Sequence, residues 1–170
     1  MKNLDQIDIA YKRVIIRVDY NVPINNEIIL DDFRINSSVP TIEYCLKKGA
    51  SIVLMSHLGR PNGIVPELSL DPIAFRLEEI LDREVLFSSD CISDESVSLS
   101  HQLKSGEIHL LENLRFHSGE VNNDKVFSLQ LAQHAKIYIN DAFGTAHREH
   151  ASNVGIVEHM KQSAAGLLIK

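Results

Sequence analysis

The sequence is poor in the features that mark special classes of protein. It has two cysteines, Cys45 and Cys91, and no tryptophan among 170 residues. Two cysteines cannot build a disulfide framework, so both are expected as reduced, buried thiols. No uninterrupted apolar run approaches the roughly 18 residues a membrane span needs, so none is expected. The stretch from Met1 to Arg13 mixes Asp5 and Asp8 with apolar residues and lacks the basic start and apolar core of a signal peptide, which makes the cytoplasm the expected compartment. A basic excess is missing as well. The chain carries 17 Lys and Arg against 23 Asp and Glu, a formal charge of −6, which argues against a nucleic-acid partner. There is no G-x-x-x-x-G-K-[ST] loop, no G-x-G-x-x-G fingerprint and no G-x-S-x-G elbow, so nothing reads as a nucleotide site or an esterase nucleophile. What remains is ordinary: 44% hydrophobic and 24% charged residues exclude disorder, collagen and coiled coil. A length of 170 suits one domain able to bury its own core.

Short β-branched runs recur along the chain. They are Arg13–Val18, Ser51–Met55, Glu84–Phe87, Glu107–Leu111 and Lys136–Asn140. Continuous apolar runs, rather than alternation, mark parallel strands covered on both faces. Helical patterns lie between them. Val39, Ile42, Cys45 and Leu46 share one face, with Gly49 following as a C-terminal stop. Asp71-Pro72 has the form of an N-cap with proline behind it, ahead of a stripe made by Ile73, Leu77, Ile80 and Leu81. Asp124 is positioned to cap a helix carrying Phe127, Leu131 and Ala135. The polar stretch from Ser88 to Ser105 reads as loop with a short helix. Strand then helix, repeated, predicts an α/β fold: a doubly wound, Rossmann-like parallel sheet with helices on both faces, in three αβα layers. The apolar end, Gly166–Lys170, reads as the start of an element that continues elsewhere, and so as a sign that the chain is a fragment.

The polar residues cluster just after the strands. Asp19-Tyr20-Asn21 follows the first, with Arg34 further along. Ser56–Pro61 follows the second, Glu112–His117 the fourth and Asp141–His150 the fifth. Open parallel sheets bind ligands outside the carboxyl ends of their strands, so these segments are expected to converge. The converging set holds Arg34, Arg60, Arg115 and Arg148, half of the eight arginines, with His57, His147 and His150. Arginine grips carboxylate and phosphate through a planar fork, so the array suits a small ligand with several negative charges. Asp19 and Asn21 suit a hydroxyl on the same ligand. The pair His147-x-x-His150 has the look of metal ligands, but no third ligand accompanies it and Arg148 lies between, so no metal is expected. His109 and His134 fall inside regular elements and read as structural.

These segments resemble the signatures of one family. Arg17–Pro23, Ser56–Pro61, Leu111–His117 and Asn140–Ser152 are similar, in order and spacing, to four conserved segments of phosphoglycerate kinase, and the likeness runs from about Leu4 to Lys170. The resemblance implies a glycolytic enzyme with two doubly wound domains. The N-terminal one takes 3-phosphoglycerate or 1,3-bisphosphoglycerate, and the C-terminal one takes magnesium ADP or ATP. Residues 1–170 are then the N-terminal domain, a fragment lacking the nucleotide domain, expected to be inactive alone and monomeric. Transferred by position, the resemblance makes Asp19, Tyr20, Asn21, Arg34, His57, Leu58, Gly59, Arg60, Arg115 and Arg148 substrate-binding. It makes Arg34 catalytic, and Arg17, His147 and His150 a surrounding basic patch. Tyr20 stands where the family commonly has phenylalanine, and Asn62, Val121 and Asn122 also depart from common residues. Three rival readings stand beside this one: an anion-binding module without chemistry, a metal-dependent hydrolase on His57, His147 and His150, and a nucleic-acid binder using the arginines.

Overall fold

The computed structural model of the chain describes residues 1–143 and 148–169. Its strands are β1 (Lys2–Asn3), β2 (Arg13–Arg17), β3 (Ile24–Asn25), β4 (Ile28–Ile29), β5 (Ser51–Met55), β6 (Val85–Ser88), β7 (Ile108–Leu111), β8 (Ile137–Asn140) and β9 (Gln162–Ala165). The helices are α1 (Phe33–Ser37), α2 (Val39–Lys47), α3 (Asp71–Leu81), α4 (Asp94–His101), α5 (Ser118–Val121) and α6 (Lys125–Ala132). Seven strands form one sheet in the order β1-β9-β8-β2-β5-β7-β6, and every pair in it is parallel. The strands β3 and β4 make a separate antiparallel ribbon.

The pleat sorts the strand residues onto two cores. Val14 and Ile16 of β2, Ile52 and Leu54 of β5, and Ile137 and Ile139 of β8 pack on one face with Ile35, Ile42, Cys45, Ile73 and Leu77 from α1, α2 and α3. Ile15, Val53, Met55 and Tyr138 face the other way, against Phe127, Leu131 and Ala132 of α6. Burial of each such aliphatic side chain stabilises the fold by about 1.5–3 kcal/mol, so both cores are needed to hold the three layers. The doubly wound α/β architecture is thus the one expected from the strand–helix alternation.

Local signals explain the helices. The Asp124 side chain accepts from Phe127 N at 2.9 Å and starts α6, as its sequence position suggested. Gly49, at φ +73°, follows α2. In α3 the start lies one residue earlier than the Asp71-Pro72 pair suggested, because Asp71 is already helical and Leu70 is the cap residue. The two amide groups there find other acceptors: Leu70 N donates to Glu112 Oε1 at 2.8 Å and Asp71 N to Ser69 Oγ at 3.2 Å. The short helix expected within Ser88–Ser105 is α4, capped by Ser93 Oγ accepting from Ser96 N at 3.1 Å. Cys45 and Cys91 are buried and free. No helix among the described residues is long and apolar enough to cross a membrane.

Candidate functional site

The sheet runs all its strands in one direction, so the segments after β2, β5, β7 and β8 leave from the same edge. Asp19, Asn21, Arg34, His57, Gly59, Arg60, Arg115 and Arg148 line one cavity of about 270 Å³ there. Four arginines and one histidine face a single hollow in an acidic protein. A larger hollow, of about 740 Å³, lies elsewhere and is walled by Glu27, Asp31, Asp32, Asp71 and Glu79 with Arg76. Arg76 is already spent on Asp32, at 2.5 and 2.9 Å, so that hollow repels an anion.

Interlocking polar contacts hold the wall in shape. Asn113, fully buried after β7, ties three segments together. Its Oδ1 accepts from Leu58 N at 3.2 Å and Arg115 N at 3.0 Å, while its Nδ2 donates to Leu58 O at 2.8 Å and Leu68 O at 2.9 Å. Glu112 accepts from Asn113 N at 2.7 Å and from Ser69 Oγ at 2.6 Å. Ser56 Oγ accepts from Tyr20 N at 2.9 Å, which fastens the turn after β2 to the end of β5. Asn21 Oδ1 accepts from Gly59 N at 2.9 Å and joins the same two segments across the cavity floor. Reading the strand ends for charge singled out Asn21 but gave Ser56, Glu112 and Asn113 no role. Their signal was a polar residue immediately after an apolar run, where only a bonded polar group tolerates burial.

The arginines are held in different ways. Arg115 donates from NH1 to Gly59 O at 2.9 Å, while its Nε and NH2 are buried with no hydrogen-bond partner among the described residues. A guanidinium with orphaned buried donors is an unfinished contact, since such groups normally find an acceptor. Burial, then the charges of Arg148 and Arg17, hold the Arg115 guanidinium below its ordinary pKa. Arg34 instead reaches back over the cavity, with NH1 at 3.2 Å from both Asp19 carboxylate oxygens and 3.0 Å from Asn21 O. Its side chain is 50% exposed, so this ion pair is worth at most about 1 kcal/mol and is easily exchanged. Arg60 and Arg148 are exposed on the rim.

Four sequence-predicted residues do not reach the cavity wall. The Tyr20 side chain turns into the core beneath, with its hydroxyl 2.8 Å from Ser38 Oγ, and burial raises its pKa. Leu58 is buried in the same core, and its contribution to the region is its backbone, bonded to Asn113. Arg17 is also buried; it lies behind the wall with NH2 2.7 Å from His57 Nδ1. His150 stands among Glu120, Arg115, Arg148 and Arg17 but off the wall, and its Nδ1 is buried without a partner among the described residues. The physical reason is that alternation fixes the side-chain direction only inside a strand, as at Arg17; in the segments beyond, the path of the backbone decides, and residue type alone does not. His147 lies outside the described residues. Burial first, and then Arg17, Arg115, Arg148 and His150, push the His57 imidazole down to about 2.

Among the described residues, Asp90, Cys91 and His117 place ligand atoms within 4.8 Å of one another, and His117 Nε2 lies 2.6 Å from Asp90 Oδ1, a hydrogen-bonding distance.

Fold and cavity together define a doubly wound α/β protein with a cationic site at the carboxyl edge of its sheet. Comparison with known proteins makes this more specific. The family model for phosphoglycerate kinase matches residues 4–170. The chain is 47% identical over 169 residues to the phosphoglycerate kinase of Rippkaea orientalis, covering 99% of this chain and 42% of that protein. It is also 47% identical over 168 residues to the cytosolic phosphoglycerate kinase of Triticum aestivum, covering 98% and 42%. Among solved structures, phosphoglycerate kinase from Pyrococcus horikoshii superposes with a TM-score of 0.90 at 32% identity, covering 99% of this chain and 43% of that one. The Coxiella burnetii structure gives 0.86 at 33%, covering 98% and 42%. The chain belongs to the phosphoglycerate kinase family, a family of glycolytic kinases. It spans about 42% of the length of these relatives.

Proposed function

We propose that this chain is the substrate-holding, N-terminal domain of a phosphoglycerate kinase, taking 3-phosphoglycerate or 1,3-bisphosphoglycerate in the arginine-lined cavity. The observation that carries this reading is Arg115, whose buried Nε and NH2 have no partner among the described residues, lining one small hollow with Arg60, Arg148 and His57. A phosphate bears enough acceptor oxygens to complete that guanidinium and to engage the rim arginines as well. Asp19 and Asn21 on the same wall suit the hydroxyl and carboxylate end of a three-carbon acid. Among the rival readings, the metal hydrolase is disfavoured by a wall of cations, and the nucleic-acid binder by the net charge of −6.

In the reaction that this reading implies, the acyl phosphate of 1,3-bisphosphoglycerate passes its phosphoryl group to ADP. The bond from carboxyl oxygen to phosphorus breaks, a bond from the ADP oxygen to phosphorus forms, and a carboxylate is left. Magnesium and the nucleotide fit the described residues poorly: the carboxylate on the wall, Asp19, is engaged by Arg34, and the strand ends carry no glycine-rich phosphate loop. Their binding is therefore assigned to residues outside this chain. What this chain does is orient and neutralise. Arg34 exchanges its weak contact with Asp19 for the transferring phosphoryl group, where charge builds on the equatorial oxygens. Alone, the chain is expected to bind substrate without turnover, and to do so as a monomer in the cytoplasm.

Calorimetric titration with 3-phosphoglycerate tests the proposal. The parent should bind, and Arg115→Ala should weaken binding by roughly tenfold to a hundredfold, the cost of a lost charge-assisted contact. Absence of binding by a folded parent, or equal binding by the variant, would remove the cavity from the reading.

A further inference from the structure

Behind the cavity wall runs a buried chain of polar groups that substrate binding does not itself call on. Glu120 of α5 is fully buried. Its carboxylate accepts from Ser152 N at 2.9 Å and from the Ser152 hydroxyl at 2.6 Å. Ser152 Oγ accepts in turn from Arg17 Nε at 2.8 Å. Arg17 NH1 donates to Val18 O, and its NH2 lies 2.7 Å from His57 Nδ1.

Each hydrogen in this chain has one consistent place. A guanidinium carries donors and no acceptor, and a carboxylate only accepts. Ser152 has a single hydroxyl hydrogen, directed at Glu120, so its lone pair faces Arg17. At the far end His57 Nδ1 faces an N–H and must accept it. The ring hydrogen is then on Nε2, the nitrogen without a partner among the described residues, in a ring that lines the cavity.

We propose that Arg17, held by Glu120 through Ser152, is a positioning residue that locks His57 as its neutral Nε2–H tautomer, so that the ring meets a bound anion as a fixed hydrogen-bond donor. The charged groups that bear most on the ring are Arg17 from β2, Arg115 after β7, and Arg148 and His150 after β8, and Asp19, Arg34 and Arg60 line the same cavity. The carboxylate among them, Asp19, is engaged by Arg34 through both of its oxygens. The division of labour is then clear. The arginines supply charge, His57 supplies direction, and the ligand atom opposite His57 must be an acceptor. An outer partner that fixes a histidine's tautomer in this way is a recurring device in binding and metal sites.

The inference deepens the substrate-site reading and rests on it for its purpose, but the tautomer is a property of the free protein and is tested separately. Long-range 15N–1H correlation spectra of the 15N-histidine-labelled chain are recorded from pH 5 to 8. The expected His57 pattern is pyridine-type at Nδ1 and pyrrole-type at Nε2, unchanged over that range. An Nδ1–H pattern, or a ring that titrates near the ordinary histidine value, overturns the proposal. Ser152→Ala removes the link between Arg17 and Glu120, and Glu120→Gln is the second variant should the first fail to fold. Either should bring mixed tautomers or titration at His57, and should weaken inorganic phosphate binding by about fivefold to tenfold, with a pH dependence that the parent lacks. A folded variant with the parent's His57 spectrum and phosphate affinity also overturns it. If the parent shows the expected spectrum but binds no phosphate, the substrate-site reading fails and the tautomer assignment stands.

Discussion

Two buried histidines should make this protein lose stability steeply below pH 6.5. His109 and His134 are both 0% exposed and are joined through Ser100, whose Oγ lies 2.9 Å from His109 Nδ1 and 2.7 Å from His134 Nδ1. At the ends, His134 Nε2 meets Cys91 O at 2.8 Å and His109 Nε2 meets Ser88 Oγ at 2.6 Å. Because Cys91 O can only accept, the hydrogens order themselves: Ser88 to His109, His109 to Ser100, Ser100 to His134, and His134 to the carbonyl. Every group is satisfied with both rings neutral, and one more proton has no acceptor. Burial above all pushes His109 down to about 3 and His134 to about 4. A depressed imidazole pKa means that the unfolded chain binds the proton first. This contribution is whole above pH 6.5, the unfolded value, and drains away as pH falls toward the folded values. At pH 5 each ring would have lost about 2 kcal/mol, roughly 4 kcal/mol for the pair if they act independently. That is a large share of the ~5–15 kcal/mol of a typical domain. Asp141, raised to about 6 by burial, works in the opposite direction, and His57 in the same one. Both are present in the parent and in a His109→Gln/His134→Gln variant, so they cancel in a comparison. Urea unfolding at pH 7 and pH 5 should show the parent losing about 4 kcal/mol more than the variant over that interval. A difference below about 1 kcal/mol would refute the reasoning.

Other outcomes follow from single contacts. In a complete enzyme carrying this domain, Arg34→Ala should lower kcat by about a hundredfold to a thousandfold with a much smaller change in KM, measured by coupled assay; a kcat within a fewfold of the parent would remove Arg34 from the transition state. Asn113→Ala severs four hydrogen bonds at a fully buried position and should cost about 3 kcal/mol or more by urea unfolding. Gly166→Ala would drive its Cβ into Asp141 Oδ1, so thermal melting should show destabilisation of about 1–3 kcal/mol; an unchanged melting temperature would mean that the Asp141 contact yields freely.

The sequence by itself determined the strand–helix alternation and the edge of the sheet at which cations would gather. Five apolar runs foretold β2, β5, β6, β7 and β8, because strands covered on both faces must be apolar throughout. Asp124 foretold the start of α6, because an N-cap works through the amide three residues on. The strands β1 and β9, which close one end of the sheet, were not legible: Lys2-Asn3 is too short, and Gln162–Ala165 has no β-branched residue, so their pairing comes from neighbours rather than from propensity. Residue type and a place beside a strand end do not by themselves separate Arg17 from Arg115; only the resemblance put them in different groups. Both are arginines beside strand ends and both are buried, yet one has its guanidinium bonded behind the wall, while the other lines the cavity and keeps two buried donors with no partner among the described residues. That distinction, like the inward turn of Tyr20 and the joining of His109 to His134 through Ser100, arises from which atoms meet across distances of 9 to 135 residues along the chain. Periodicity and local capping report a residue's neighbours in sequence. Hydrogen-bond satisfaction depends on its neighbours in space, and only the packed tertiary structure decides those.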